Sequence, residues 1–127
     1  MKSIGLYKFI DSRLVFLILL IFWCGTIIHI SSIPYLTIRG HGFPIRKFGH
    51  IIVYCIFTIL LWKNIFWHKD HRIGKAITCC IIALGFAIFD EIHQSVIPGR
   101  HGNIQGVSID MLGTLPLLVW SILKKMH

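Results

Sequence analysis

Four long apolar runs, joined by short segments that hold most of the charge, leave this chain few ways to fold. They occupy residues 14–30, 48–66, 76–89 and 107–123. As a helix the first is about 25 Å long, close to the roughly 30 Å hydrocarbon core of a bilayer. Of the 127 residues, 55% are hydrophobic and only 14% charged, too little polar surface to cover such runs in water. Lipid tolerates only backbones that satisfy their own hydrogen bonds, and for continuous apolar runs that means helices. The expected fold is all-α: a polytopic integral membrane protein of four transmembrane helices, in a single domain over residues 1–127. No repeat, low-complexity stretch or linker interrupts it.

The ends of the runs agree with this reading. Lys2, Lys8 and Arg13 precede the first, and Ser31, Ser32 and Pro34 follow it as turn residues. A cleaved signal peptide is the alternative there, but the run exceeds the usual apolar length and no small-x-small site clearly follows. The core of the second run, residues 51–62, ends at Lys63, whose stem can snorkel to the headgroups. The third begins after Lys75 and meets Asp90 and Glu91; the fourth stops at Lys124 and Lys125, with a kink expected at Pro116. Trp62, Trp67 and Trp120 suit an interfacial belt. Nine basic residues fall before the first span, between the second and third, and at the C-terminus, against four in the other two loops. The positive-inside rule then puts both termini in the cytoplasm. Residues 41–50 and 90–103 face outward together.

Composition also excludes function classes. The net charge of +8 comes in short clusters between apolar runs, without an interleaved aromatic platform, so nucleic acid is not an expected partner. Cys24, Cys55, Cys79 and Cys80 lie within apolar runs at spacings that fit neither a zinc motif nor a disulfide framework, and read as small buried hydrophobes.

Counting residues along the spans brings three polar side chains to one depth. Fifteen residues separate Lys75 from Asp90 and Asp110 from Lys125, and thirteen separate His50 from Lys63. All three side chains then lie about 20 to 22 Å from the cytoplasmic boundary, roughly 8 to 10 Å below the outer one. Lys47, His50 and Tyr54 share one face of the second span, and Asp90 and Gln94 one face of the third. Glu91, about 100° around that helix, addresses a different neighbour. Gly106, Asp110 and Gly113 share a face of the fourth, where the glycines permit close approach. Pro98 and Gly99 should end the third helix in a turn that lets Arg100 fold back over the layer.

Carboxylates at this depth are costly unless paired or hydrated. In one reading Lys47 or Arg100 neutralises Asp90, Glu91 or Asp110 and pins the helices together. In the other, His50 and one of Asp90, Glu91 or Asp110 act as acid and base, with Lys47, Tyr54, Gln94 and Arg100 binding the substrate. No HExxH-like spacing is present, so no cofactor is expected. A divalent metal on His50 or His93 with Asp90, Glu91 and Asp110 is the alternative. His29, His41, His68, His71 and His127 read as interface or loop residues, whereas His93 and His101 stay open.

Three elements carry a family resemblance: Lys47-x-x-His50-x-x-x-Tyr54, then Asp90-Glu91-x-x-Gln94-x-x-x-Pro98-Gly99-Arg100, then Asp110 with Gly113. On these, residues 44–114 resemble the VanZ-like family of small bacterial membrane proteins. The family often has an Asp four residues before its acidic position on the last span, where this chain has Gly106. The resemblance implies a multi-pass protein of the bacterial cytoplasmic membrane with its polar site toward the cell envelope, and an association with resistance to the glycopeptide teicoplanin. Three functions are compatible with it. One is an enzyme acting on an envelope lipid or lipid-linked cell-wall precursor, with Lys47 and Arg100 holding an anionic headgroup. Another is a noncatalytic binder of a lipid or glycopeptide, or an envelope-assembly partner. The least favoured is a proton-coupled transporter, for which four spans without a repeat are few. Oligomeric state is left open.

Overall fold

A computed structural model describes the backbone of residues 3–34, 42–65 and 71–124. The side chains it describes are those of residues 12–34, 46–65 and 71–124. The described residues form helices joined by turns. They are α1 (Ser3–Ser31), α2 (Gly42–Asn64), α3 (Arg72–Ser95), α4 (Ile104–Leu112) and α5 (Leu115–Leu123). Three segments are long and apolar enough to cross a membrane: Ser12–Ser31, Arg72–Ser95 and Ile104–Leu123, the last being α4 and α5 together. The expected second span forms as α2. With Arg46, Lys47 and His50 near one end and Lys63 and Asn64 at the other, it is not among those three.

Burial follows the logic of a protein in lipid. Ile21, Phe22, Ile52, Ile81 and Ile92 are all more than half exposed, while the buried interior holds Ser31, Thr58, Asp90, Asp110, Thr114 and Ser121. Buried side chains of α3 recur every three or four residues: Ala76, Cys79, Ala83, Ala87, then Asp90 and Gln94. Small residues along that stripe let α3 pack closely where apolar burial supplies no drive between helices. The same stripe carries the two polar groups into the interior. Ile27, Tyr54, Phe57 and Leu61 complete the core, with the Phe57 ring tilted by 39° against Phe86 at 4.9 Å and edge-on at 5.8 Å to Tyr54.

α1 packs on α2 and α3, and α2 and α3 each contact both halves of the last span. Side-chain donors tie the helices where no water competes: Trp23 Nε1 donates to the Val53 carbonyl at 3.0 Å, and Asn64 Nδ2 to the Phe16 carbonyl at 3.0 Å. One end of the bundle is basic and aromatic. Trp62 and Trp120 meet edge-to-face at 5.6 Å; Lys75 lies over Trp62, and Arg72 and Lys124 over Trp120. Trp67 lies outside the described residues. The acidic layer sits at the opposite end.

The last span bends at Gly113 and Thr114, in the turn before Pro116, as expected of a proline that leaves a carbonyl unpaired. The Gly113 and Thr114 N–H groups donate three residues back, to the Asp110 and Met111 carbonyls, which closes α4 before α5 begins at Leu115. Pro116 sits in the first turn of α5, where its missing N–H is harmless. Its effect is felt upstream: a proline removes the bond to the carbonyl four residues earlier and crowds it. Gly113 also needs the bend for space. A Cβ there would overlap the Ile51 carbonyl oxygen and lie 2.9 Å from the Cys55 nitrogen.

Candidate functional site

Asp90 is completely buried. Its Oδ2 accepts from Ser31 Oγ at the end of α1 at 2.8 Å and from Gln94 Nε2, one turn along α3, at 2.9 Å. α1 can supply Ser31 because its helix ends there, stopped by Pro34, with Ser32 returning its own hydroxyl to the Ile28 carbonyl at 2.7 Å. Ser32 Oγ also contacts His93 Nε2 at 2.9 Å, which places that histidine in the α1–α3 interface.

Asp110, 1% exposed, reaches across to α2: its Oδ1 lies 2.9 Å from His50 Nδ1. This is the ion pair formed among the described residues if His50 is protonated. Tyr54, on the same face of α2, is fully buried. Asp90 Oδ1, Asp110 Oδ2 and Tyr54 Oη are all buried without a hydrogen-bond partner. His50, Asp90 and Asp110, from three helices, each offer a ligand-type atom within 4.8 Å of the others. The shared depth expected for these three residues is thus realised as a cluster.

Glu91 turns away from Asp90, as its position around the helix requires. Its Oε2 accepts the Asn103 backbone N–H at 2.8 Å, and Asn103 Oδ1 in turn caps α4 by accepting the Gly106 N–H at 2.9 Å. A negative group at a helix N-terminus is favoured by the helix dipole. Gly106 makes the arrangement possible, since a Cβ there would overlap the Glu91 carboxylate. A Cβ on Gly102 would meet the Glu91 carbonyl oxygen. Glu91 of α3 therefore fills the space that Gly106 leaves open on the last span.

α3 ends at Ser95, and Gly99 takes a left-handed φ of 77° to turn the chain back. Arg100 folds over the layer as expected, 7% exposed, and an Nη donates to the Ile30 carbonyl at 3.3 Å. It forms no ion pair with a carboxylate among the described residues, and its Nε is buried without a partner.

These elements enclose a cavity of about 430 Å³. Six of the eight anticipated residues line it: Lys47, His50, Glu91, Gln94, Arg100 and Asp110. Asp90 and Tyr54 are packed in the buried layer and are not part of its lining. Sequence reasoning missed Arg46 and Asn103 in the wall and Ser31 beneath it, whereas His101, left open, is in the wall. Asn103 had a readable signal, an N-cap residue immediately before an apolar run. Ser31 had none, because nothing along the chain links it to Asp90.

Comparison with curated proteins finds no match, and comparison with solved structures finds none. The family model VanZ/LLP1 matches residues 8–124, extending well beyond the motif region into the first span and the C-terminal helix. With nearly the whole chain covered, and with the motif residues gathered around one buried cluster, the protein belongs to the VanZ/LLP1 family.

Proposed function

We propose that the chain spans the bacterial cytoplasmic membrane four times, α2 included, with both termini inside. Its cavity then faces the extracytoplasmic side and serves a reaction on the headgroup of an envelope lipid or lipid-linked cell-wall precursor. The observation that carries this reading is the His50–Asp110 pair in the wall of a cavity also lined by Arg46, Lys47 and Arg100. A carboxylate that orients an imidazole is an arrangement suited to moving a proton, and neighbouring cations suit an anionic headgroup. The Trp and Lys residues at the opposite end fit a cytoplasmic interface, and the implied link to teicoplanin resistance fits a substrate at the outer leaflet. The test is lipid and precursor profiling of cells carrying the native chain beside His50→Ala. A species that accumulates or disappears in the variant supports the reaction; identical profiles in His50→Ala, Asp90→Asn and Glu91→Gln cells refute it.

A noncatalytic reading keeps the cationic lining and dispenses with proton transfer. The engagement of Glu91 with the Asn103 N–H favours it, because that carboxylate then holds the loop in place. Under this reading headgroup binding survives His50→Ala and weakens in Lys47 and Arg100 variants in a salt-dependent manner.

A further inference from the structure

The His50–Asp90–Asp110 cluster has a property that hydrogen bonding within the protein leaves unexplained. Each carboxylate has one oxygen held and one bare: Ser31 and Gln94 hold Asp90 Oδ2, His50 holds Asp110 Oδ1, and the remaining two oxygens are buried without a donor. Tyr54 Oη, one turn from His50, is also buried and unpartnered, within electrostatic range of both carboxylates. Buried polar atoms almost always find a partner, and a bare oxygen on each of two carboxylates that share a cluster with His50 points to a ligand there.

We propose that His50, Asp90 and Asp110 bind one divalent cation of the Mn²⁺ or Zn²⁺ class at the inner wall of the cavity. One imidazole and two carboxylates form a mixed nitrogen and oxygen donor set that suits these ions better than Ca²⁺, which takes oxygen ligands, or Cu(I), which prefers sulfur. Metal–ligand bonds of about 2.1 Å put adjacent octahedral ligands about 3.0 Å apart and opposite ones about 4.2 Å apart. His50, Asp90 and Asp110 each offer a ligand-type atom within 4.8 Å of the others, somewhat wider than the spacing of opposite ligands, so modest inward side-chain shifts bring them onto one ion. Ser31 and Gln94 already orient Asp90 from outside, as partners of metal ligands do. His50 and Asp110 face the cavity and Asp90 backs them, which leaves positions open to water or a headgroup oxygen from the cavity side. This inference rests on the proposed reaction only for the use of the ion. With the ion bound, His50 is a ligand rather than a proton carrier, and Glu91 is the carboxylate left in the cavity wall for proton transfer.

The test uses the full chain in detergent micelles, stripped with a chelator and titrated with Mn²⁺ alone. Free Mn²⁺ is followed by its paramagnetic resonance signal and the fold by thermal unfolding. One saturable site per chain is expected, displaced by Zn²⁺ and raising the unfolding temperature. Asp90→Asn and Asp110→Asn should weaken it roughly 100-fold or more and Ser31→Ala about 10- to 100-fold, with Ser108→Ala, whose hydroxyl bonds the Ile104 carbonyl of its own helix, leaving it unchanged. A native chain with no saturable site for either ion overturns the proposal whatever the variants do, and so does a site that persists in folded Asp90→Asn and Asp110→Asn. Binding is read without turnover. A chain that binds the ion while His50→Ala leaves cell lipids unchanged keeps the site and loses the reaction; altered lipids without ion binding do the reverse.

Discussion

Glu91 places its carboxylate against the bare Cα of Gly106, fifteen residues later in the chain, and anchors it on the Asn103 N–H at 2.8 Å. An acid from α3 thereby occupies the space beside α4 that Gly106 leaves open. Adding a methyl group at residue 106 forces Glu91 to choose between that space and its hydrogen bond. Because the obstructed atoms are the end of a flexible side chain, Gly106→Ala should cost only about 1 kcal/mol, the worth of one hydrogen bond. Gly106→Asp should cost more through like-charge repulsion, and Glu91→Ala should relieve it. The check is thermal unfolding in detergent of these three variants and of the Gly106→Asp, Glu91→Ala double variant. Non-additivity absent from the Gly106→Asp, Glu91→Ala cycle would count against the contact.

Gly113 makes the contrasting case. There an added Cβ meets backbone atoms of α2, the Ile51 carbonyl oxygen and the Cys55 nitrogen, and no rotamer change can clear them. Gly113→Ala should therefore cost about 1–3 kcal/mol, typical of overpacking, and exceed the loss at Gly106. It should also move the α4–α5 joint off α2 and so disturb the His50–Asp110 pair. Equal stability of the two alanine variants would sink this account.

How much of this was legible in the sequence depends on the range of the interaction. Helices and their ends were readable because apolar length, Pro34 and the lysines are local signals. The convergence of His50, Asp90 and Asp110 was readable because helix rise turns residue number into depth. Depth says nothing about which helix neighbours which, so Ser31, at the same level on α1, was not recognised as the donor to Asp90. The kink expected from Pro116 falls at Gly113 and Thr114, the turn before the proline, and the close approach of α2 at Gly113 is the part that the sequence did not show. The small-residue stripe of α3 was in plain view but reads as unremarkable hydrophobicity until a packing partner is known.

Ser31 supplies the next prediction. Asp90 Oδ2 takes one donor from α1 and one from α3, and its other oxygen has none. Ser31→Ala removes the one cross-helix donor that Asp90 has among the described residues, a loss of about 1–3 kcal/mol. Ser31→Thr, which keeps the hydroxyl, should recover part of it. Thermal unfolding of the stripped chain isolates this effect from cation binding, and an unchanged midpoint in Ser31→Ala would show that the bond contributes nothing.

The proposed orientation can be tested with two exposed histidines at opposite ends of the bundle. His101 lies in the turn beside the cavity, and His71 precedes α3 at the end where Arg72, Lys75 and Lys124 contact Trp62 and Trp120. If the basic end is cytoplasmic, His101→Cys should react with a membrane-impermeant maleimide added to intact cells, whereas His71→Cys should react only after permeabilisation. Cys24, Cys55, Cys79 and Cys80 all lie within the helices, and labelling of the native chain serves as the background. Labelling of His71→Cys in intact cells, with protection of His101→Cys, would invert the topology and turn the cavity toward the cytoplasm. The substrate class would then shift to headgroups of the inner leaflet, because the cavity and its cations would open only to that side.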